Sequence, residues 1–247
     1  MAQSKLATRS YYEKAYNKGV GQEARFGDVE AVFRSLKGDK LLDVGCGDGA
    51  FTTVLAKAMN AQETFGIELS KEGVQSARSK GIEAVEQDVN LEPLPFVDGF
   101  FDVVFLGEII EHVFDPDYLL GEANRVLRPG GTCVVSTPNL AGWPNRISLL
   151  FGYQPFPTAA SPNHESAGKL LLKEPQGMWG HIRVMTLRSL KELVSYHGFQ
   201  IVEIKGSTAT PKTTRFLFSV LGIIDGTMSH FPSLASRVIL VLNKVDS

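Results

Sequence analysis

Glu108, Glu111 and His112 stand three and four residues apart in the stretch GEIIEHV. On a helical turn those offsets bring two carboxylates and an imidazole to one face. Such a face can hold a divalent cation, or a histidine that acts as a general base while a carboxylate orients it. It can equally cap a helix or line a cleft. His181, ahead of the stretch IRVMTLRSLKELVSYHGF, is a second candidate base, with a loop histidine bonded to backbone as its alternative. His164, Trp143, Tyr153 and Trp179 can shape an aromatic pocket or give their own segment a small core. His197, beside Gly198 at a helix end, suits the helix dipole and needs no functional account. A different chemistry belongs to LLDVGCGDGAF, residues 41–51, where an apolar run enters a glycine-rich turn. Glycines there let the backbone turn sharply and let a ligand approach with no Cβ in the way. Glu68, at the end of the next apolar run, can accept hydrogen bonds from both hydroxyls of a ribose. The spacing is Gly-x-Gly-x-Gly with Ala50 next, not the dinucleotide fingerprint, which weighs against a pyrophosphate on the helix N-terminus.

The elements that must position these groups alternate short apolar runs with amphipathic stretches, the pattern of a parallel sheet covered on both faces. The pattern predicts strands over 40–44, 64–68, 82–87, 101–106, 131–136, 199–205 and 237–242. It predicts helices over 50–59, 71–79, 116–127 and 187–196, with Asp48, Ser70 and Thr186 as N-caps and Gly198 as a stop. Arg128, Pro129, Gly130 and Gly131 read as a turn before the fifth strand, with glycine taking positive φ. Ahead of the sheet, Tyr11, Tyr12, Tyr16, Val29, Val32, Phe33 and Leu36 suggest two short helices that cap the core or lid a cleft. The expected organisation is an N-terminal helical cap over 1–38 and one α/β domain over 39–247, with inserts at 138–184 and 207–235 covering the acceptor side. The first insert is irregular, rich in proline and glycine, and holds both tryptophans. The second contains an apolar run over 215–231 that suits a pocket cover or an interface better than a membrane surface, given Asp225 and His230.

In order and spacing, four segments resemble the class I S-adenosylmethionine-dependent methyltransferases: residues 41–51, FGIELS at 65–70, EQDVNLEPLPFVDGFFDVVF at 86–105 and EANRVLRPGGTCVVSTPN at 122–139. The resemblance implies a Rossmann-like, doubly wound α/β sheet of seven strands, the last inserted antiparallel, with a lid-like insert after the fifth. It implies S-adenosylmethionine as cofactor and S-adenosylhomocysteine as product. It places Asp43, Gly45, Cys46 and Gly47 around the methionine moiety, Glu68 on the ribose, Leu69, Asp88 and Val89 around adenine, and Gly107 beside the sulfonium. GEIIEHV is locally similar to the ubiquinone-biosynthesis O-methyltransferases, where two glutamates and a histidine are associated with a divalent metal. A metal is compatible with this stretch but not favoured, and no residue is assigned as a metal ligand. The catalytic candidates are His112, Glu111 and His181, and the expected reaction is O-methylation of a small molecule. N- or C-methylation on the same scaffold and a non-catalytic cofactor-binding protein are the alternatives.

Lys and Arg number 25 against 27 Asp and Glu, a formal charge of −2, so the chain lacks the basic excess of a phosphate-backbone binder. Nucleic acid is not an expected partner. The expected partner is a small-molecule acceptor, and a homodimer is compatible with the sequence. Two cysteines, Cys46 and Cys133, have no spacing that suggests a disulfide framework or zinc site, which fits a reducing cytoplasm. With neither a signal-peptide core at the N-terminus nor a run long enough to span a bilayer, stable membrane association is not expected.

Overall fold

The computed structural model describes residues 27–161, 164, 166–170, 180–209 and 216–245. Tyr11, Tyr12, Tyr16 and Trp179 lie outside the described residues. Helix α1 spans Gly27–Phe33, followed by β1 (Lys40–Val44), α2 (Ala50–Met59), β2 (Glu63–Glu68), α3 (Lys71–Ser79), β3 (Glu83–Glu86) and β4 (Phe101–Gly107). Next come α4 (Pro116–Val126), β5 (Leu127–Pro138), α5 (Trp143–Leu150), α6 (Leu187–Tyr196), β6 (Phe199–Ser207), α7 (Phe216–Ser229) and β7 (Arg237–Lys244). The strands form a seven-stranded sheet in the order β3-β2-β1-β4-β5-β7-β6. The first five run parallel, while β7 is antiparallel to both β5 and β6. This is the Rossmann-like methyltransferase arrangement that the four segments imply.

Period-two alternation builds two cores from the same strands. Leu41, Val103, Phe105, Val134 and Ile239 face one side, where they meet Val29, Val32 and Phe33 of α1 and Leu55 of α2. Their neighbours Leu42, Val104, Leu106, Val135 and Leu240 face the other, against Leu119, Leu120 and Ala123 of α4 and Leu190 and Val194 of α6. Residues on both faces are almost all fully buried, and each such Leu, Val or Phe contributes roughly 1.5–3 kcal/mol over the exposed state. Consecutive apolar residues are thus required here, because neither face of the sheet is wet.

Ser70 caps α3 by accepting from Gly73 N, and Thr186 caps α6 in a reciprocal pair with Ser189. The cap of α2 differs from expectation. Gly49 occupies that position at φ 76°, with no side-chain cap bond, because the glycine turn stays left-handed up to the helix. Asp48 still accepts from Ala50 N at 3.0 Å. Strand β5 also begins earlier than expected. The Arg128–Gly131 turn lies within it as an irregularity in the β4–β5 register, and only Gly130 has positive φ, at 65°.

The first insert contains α5, which the proline-rich composition hid. Pro144 lies in its first turn, where the missing N–H is no loss. The apolar run of the second insert forms α7. A buried carboxylate ties both inserts to the sheet: Asp225 of α7 accepts from Trp143 Nε1 (2.9 Å), Ser236 Oγ (2.6 Å) and Ala209 N (2.9 Å). Trp143 therefore braces the insert. Among the described residues, no helix is long and apolar enough to cross a membrane.

Candidate active site

The carboxyl ends of β1, β2 and β4 converge on one edge of the sheet. After β1 the chain turns through Gly45 (φ 82°), Gly47 (φ 56°) and Gly49 (φ 76°), a left-handed region that favours glycine. Gly45 N and Cys46 N both donate to Ile67 O, at 2.7 and 3.0 Å, which folds the loop over the end of β2. Gly47 N donates to Glu68 Oε2 (2.9 Å), and Ser70 N to Glu68 Oε1 (2.8 Å). One carboxylate therefore fastens the loop and the following turn. Burial raises the Glu68 pKa above the ordinary carboxylate value despite these N–H donors.

Asp43 lies beneath the loop. It is buried and accepts from Thr52 Oγ1 of α2 at 2.6 Å, and burial pushes its pKa up to about 7. Cys46 is buried against Gly66, where a Cβ would sit 2.5 Å from its Sγ. Burial pushes both cysteine thiols up, and neither is in a disulfide. Gly45 is exposed, and Leu69, Asp88, Val89 and Gly107 are half-buried along the same edge. Asp88 Oδ1 accepts from Asn90 N and Nδ2, closing the loop after β3.

Beyond β4, residues 108–113 form a bend and turn in which Glu108 has φ 55°, so the expected helical face does not form. Glu108 turns toward β5 and β7, accepting from Ser136 Oγ (3.2 Å) and pairing with Arg237. It is thereby separated from the chemistry of its neighbours. Glu111 and His112 meet His181 instead. Glu111 is fully buried, with Oε2 accepting from Thr137 Oγ1 at 2.9 Å, while Oε1 has no hydrogen-bond partner among the described residues and lies 4.0 Å from His181 Nε2. The Glu111 carbonyl accepts from Ile182 N and Arg183 N, which straps residues 181–183 across the cluster. The rings of His112 and His181 pack edge to face, with centroids 4.7 Å apart and planes at 71°. Burial, aided by His181, lowers the His112 pKa to about 3, and burial raises that of Glu111. One donor atom from each of the three residues lies within 4.8 Å of the others, so the set also has the composition of a cation site.

Sequence reasoning missed Ser136, Thr137, Arg237 and the Pro157 carbonyl, which faces His181 Nδ1 at 2.8 Å. Thr137 lies on a recognised strand, but nothing local marks its partner. His164 is exposed, Tyr153 is exposed, and His197 pairs with Asp117 on the surface.

A methyltransferase domain model matches residues 42–135. A protein of Mycolicibacterium smegmatis, named a probable S-adenosylmethionine-dependent methyltransferase, is 32% identical over 179 residues, which are 70% of this chain and 67% of that protein. The chain belongs to the S-adenosylmethionine-dependent methyltransferases. A ubiquinone biosynthesis O-methyltransferase of Methylococcus capsulatus is 39% identical over 110 residues, 42% of this chain and 46% of that enzyme. The chain spans about half the length of several curated relatives it matches. Among solved structures, the methyltransferase in a Haloferax volcanii complex with the activator Trm112 superposes with a TM-score of 0.66 at 17% identity, covering 97% of this chain and 98% of that one, a likeness of fold.

The residues fit the cofactor of this methyltransferase family. The exposed Gly45 offers backbone without a side chain, and a Cβ there would sit 3.1 Å from Ile109 Cδ1, narrowing the edge between the β1 and β4 loops. A Cβ on Gly73 would sit 2.9 Å from Glu68 Cγ and 3.0 Å from Gly47 O, so α3 holds the acid tight against the loop. Glu68 and Asp88 supply acceptor oxygens on that edge.

Proposed function

We propose that this methyltransferase transfers the methyl group of S-adenosylmethionine to a hydroxyl oxygen of a small molecule, with His181 as the general base. The observation that carries this reading is the buried Glu111 carboxyl 4.0 Å from His181 Nε2, in the turn that follows β4. When bound, the cofactor supplies an electrophilic methyl group on a positively charged sulfur. Everything else falls to the chain: Glu68 and Asp88 offer acceptors to hydroxyl and amino groups, and the Gly45–Gly47 backbone leaves room for the methionine moiety. Asp43 acts through Thr52 and is a positioning residue.

The tautomer of His181 follows from its neighbour. A carbonyl oxygen only accepts, so the Nδ1 facing Pro157 O carries the proton and Nε2 of the neutral ring has the lone pair. Nε2 takes the acceptor's hydroxyl proton, and an ionised Glu111, with Oε1 4.0 Å from the same nitrogen, balances the charge on the ring. His112, held neutral by burial, keeps the His181 ring in place. Because burial raises the Glu111 pKa, turnover should climb with pH as its proton leaves. An amine acceptor needs no such base, so the cluster favours oxygen over nitrogen.

Calorimetry with S-adenosylmethionine and S-adenosylhomocysteine, followed by S-adenosylhomocysteine release with a panel of hydroxylated acceptors, tests this. His181→Gln should lower kcat by about 10²–10⁴ while leaving cofactor Kd unchanged. Wild-type turnover in that variant would remove the base, and absence of cofactor binding in the parent would remove the transferase reading.

A further inference from the structure

Beside the cluster lies a cleft of about 450 Å³, within the size range of small-molecule sites, lined by Pro116, Thr158, His181, Ile182, Arg183 and Met185 among others. We propose that it takes an anionic acceptor: a small molecule with an apolar body whose carboxylate or phosphate is held by Arg183. The proposal rests on the methyl-transfer reading only in placing the reacting hydroxyl at His181.

The walls divide by chemistry. Pro116, Ile182 and Met185 are apolar, and the Thr158 hydroxyl is already engaged, donating to Pro155 O and accepting from Gln154 Nε2. Arg183 is the charged side chain of the lining that can recognise an anionic group. Arg183 is fixed at both ends: its backbone N donates to the Glu111 carbonyl at 3.0 Å, and its Nε donates to Phe114 O at 2.7 Å. With Nε engaged, the two terminal nitrogens remain as a forked donor suited to an oxyanion.

Arg34, Arg125, Arg128, Arg188 and Arg237 form ion pairs with carboxylates, while Arg78 and Arg146 donate to backbone carbonyls. Arg183, the cationic side chain of the cleft, forms no ion pair among the described residues. An exposed arginine with a fixed stem and no ion pair among the described residues is arranged to meet a negative charge from outside. Arg183 lies two residues from His181, so their Cα atoms are at most about 7 Å apart. Both residues line the same cleft, so one small molecule can meet both side chains.

The test titrates the full chain, with and without S-adenosylhomocysteine, with benzoate, phenyl phosphate and neutral benzamide, in parent, Arg183→Gln and Arg183→Lys proteins. One or both anions should bind at least roughly tenfold tighter than the amide, as expected for charge-assisted hydrogen bonds. Arg183→Gln should abolish that preference, Arg183→Lys should keep part of it, and neither should alter S-adenosylhomocysteine affinity. The order of the two anions identifies the head group. Equal binding of anion and amide, a preference that survives Arg183→Gln, or no binding of any probe would overturn the proposal. Anion preference without S-adenosylhomocysteine binding would sustain the cleft and defeat the transferase reading; the converse would do the reverse.

Discussion

Glu68 holds Gly47 and Ser70 through its two oxygens while facing the edge where a ribose would lie, so its loss acts on loop and ligand together. Glu68→Ala should weaken S-adenosylmethionine binding by about 1–3 kcal/mol, read as a rise in Kd by calorimetry. An unchanged Kd would move the ribose elsewhere. This acid was legible because it ends a strand at a fixed interval after a glycine turn, a pattern set by βαβ geometry. Asp43, read with equal ease, faces Thr52 under the loop; which way its side chain turns depends on how α2 leaves the glycines. The meeting of Glu111 with His181 was not legible as a pair. It depends on how the first insert crosses the sheet edge and on two backbone bonds to one carbonyl, neither of which has a local signature.

At the scale of elements, the α2–α3 contact is as restrictive as the glycine turn itself. A Cβ on Gly49 would sit 2.5 Å from Ile82 Cδ1 and 2.9 Å from Ala77 Cα, at φ 76°. Gly49→Ala should therefore cost about 2–5 kcal/mol, combining left-handed strain with overpacking. Gly81→Ala is the control: its φ is 85°, but nothing lies within 4 Å of an added Cβ, so it should cost only about 1–2 kcal/mol. Urea unfolding of both proteins measures the difference, and equal losses would show that backbone strain alone matters. Helices α2, α3 and α6 matched their expected limits because each begins after a turn or capping residue and shows one apolar stripe. Helix α7 was not legible as a helix, since an apolar run without polar contrast has no period to read.

For the whole molecule, buried titratable groups set how stability varies with pH. Asp43 keeps a proton up to about pH 7 in the fold but releases it near 3.8 when unfolded, and Glu68 and Glu111 shift in the same direction. Across that window the folded state holds more protons than the unfolded one, so these groups lose stability as pH rises. His112 does the opposite: its folded pKa of about 3 lies below the ordinary 6.5, so its contribution grows as pH rises through that interval. The carboxyls outnumber it, and the unfolding free energy should fall as pH rises between about 5 and 6.5. Urea titrations across that range check the sign. Asp43→Asn should flatten the slope, and a rise in stability with pH would contradict the balance. The order of the sheet was legible through its resemblance to a family, whereas the anchoring of both inserts on Asp225 was not, because its partners come from three separate stretches. Strand order also governs biogenesis. Strand β7, which follows β6 in sequence, lies between β5 and β6, and β6 joins the sheet only through it. The five parallel strands can assemble on a ribosome while β5 still shows a bare apolar edge, and only residues 237–244 close it. Copies cut short before that point would leave β5 with an open edge and β6 with no strand partner, an invitation to join one another.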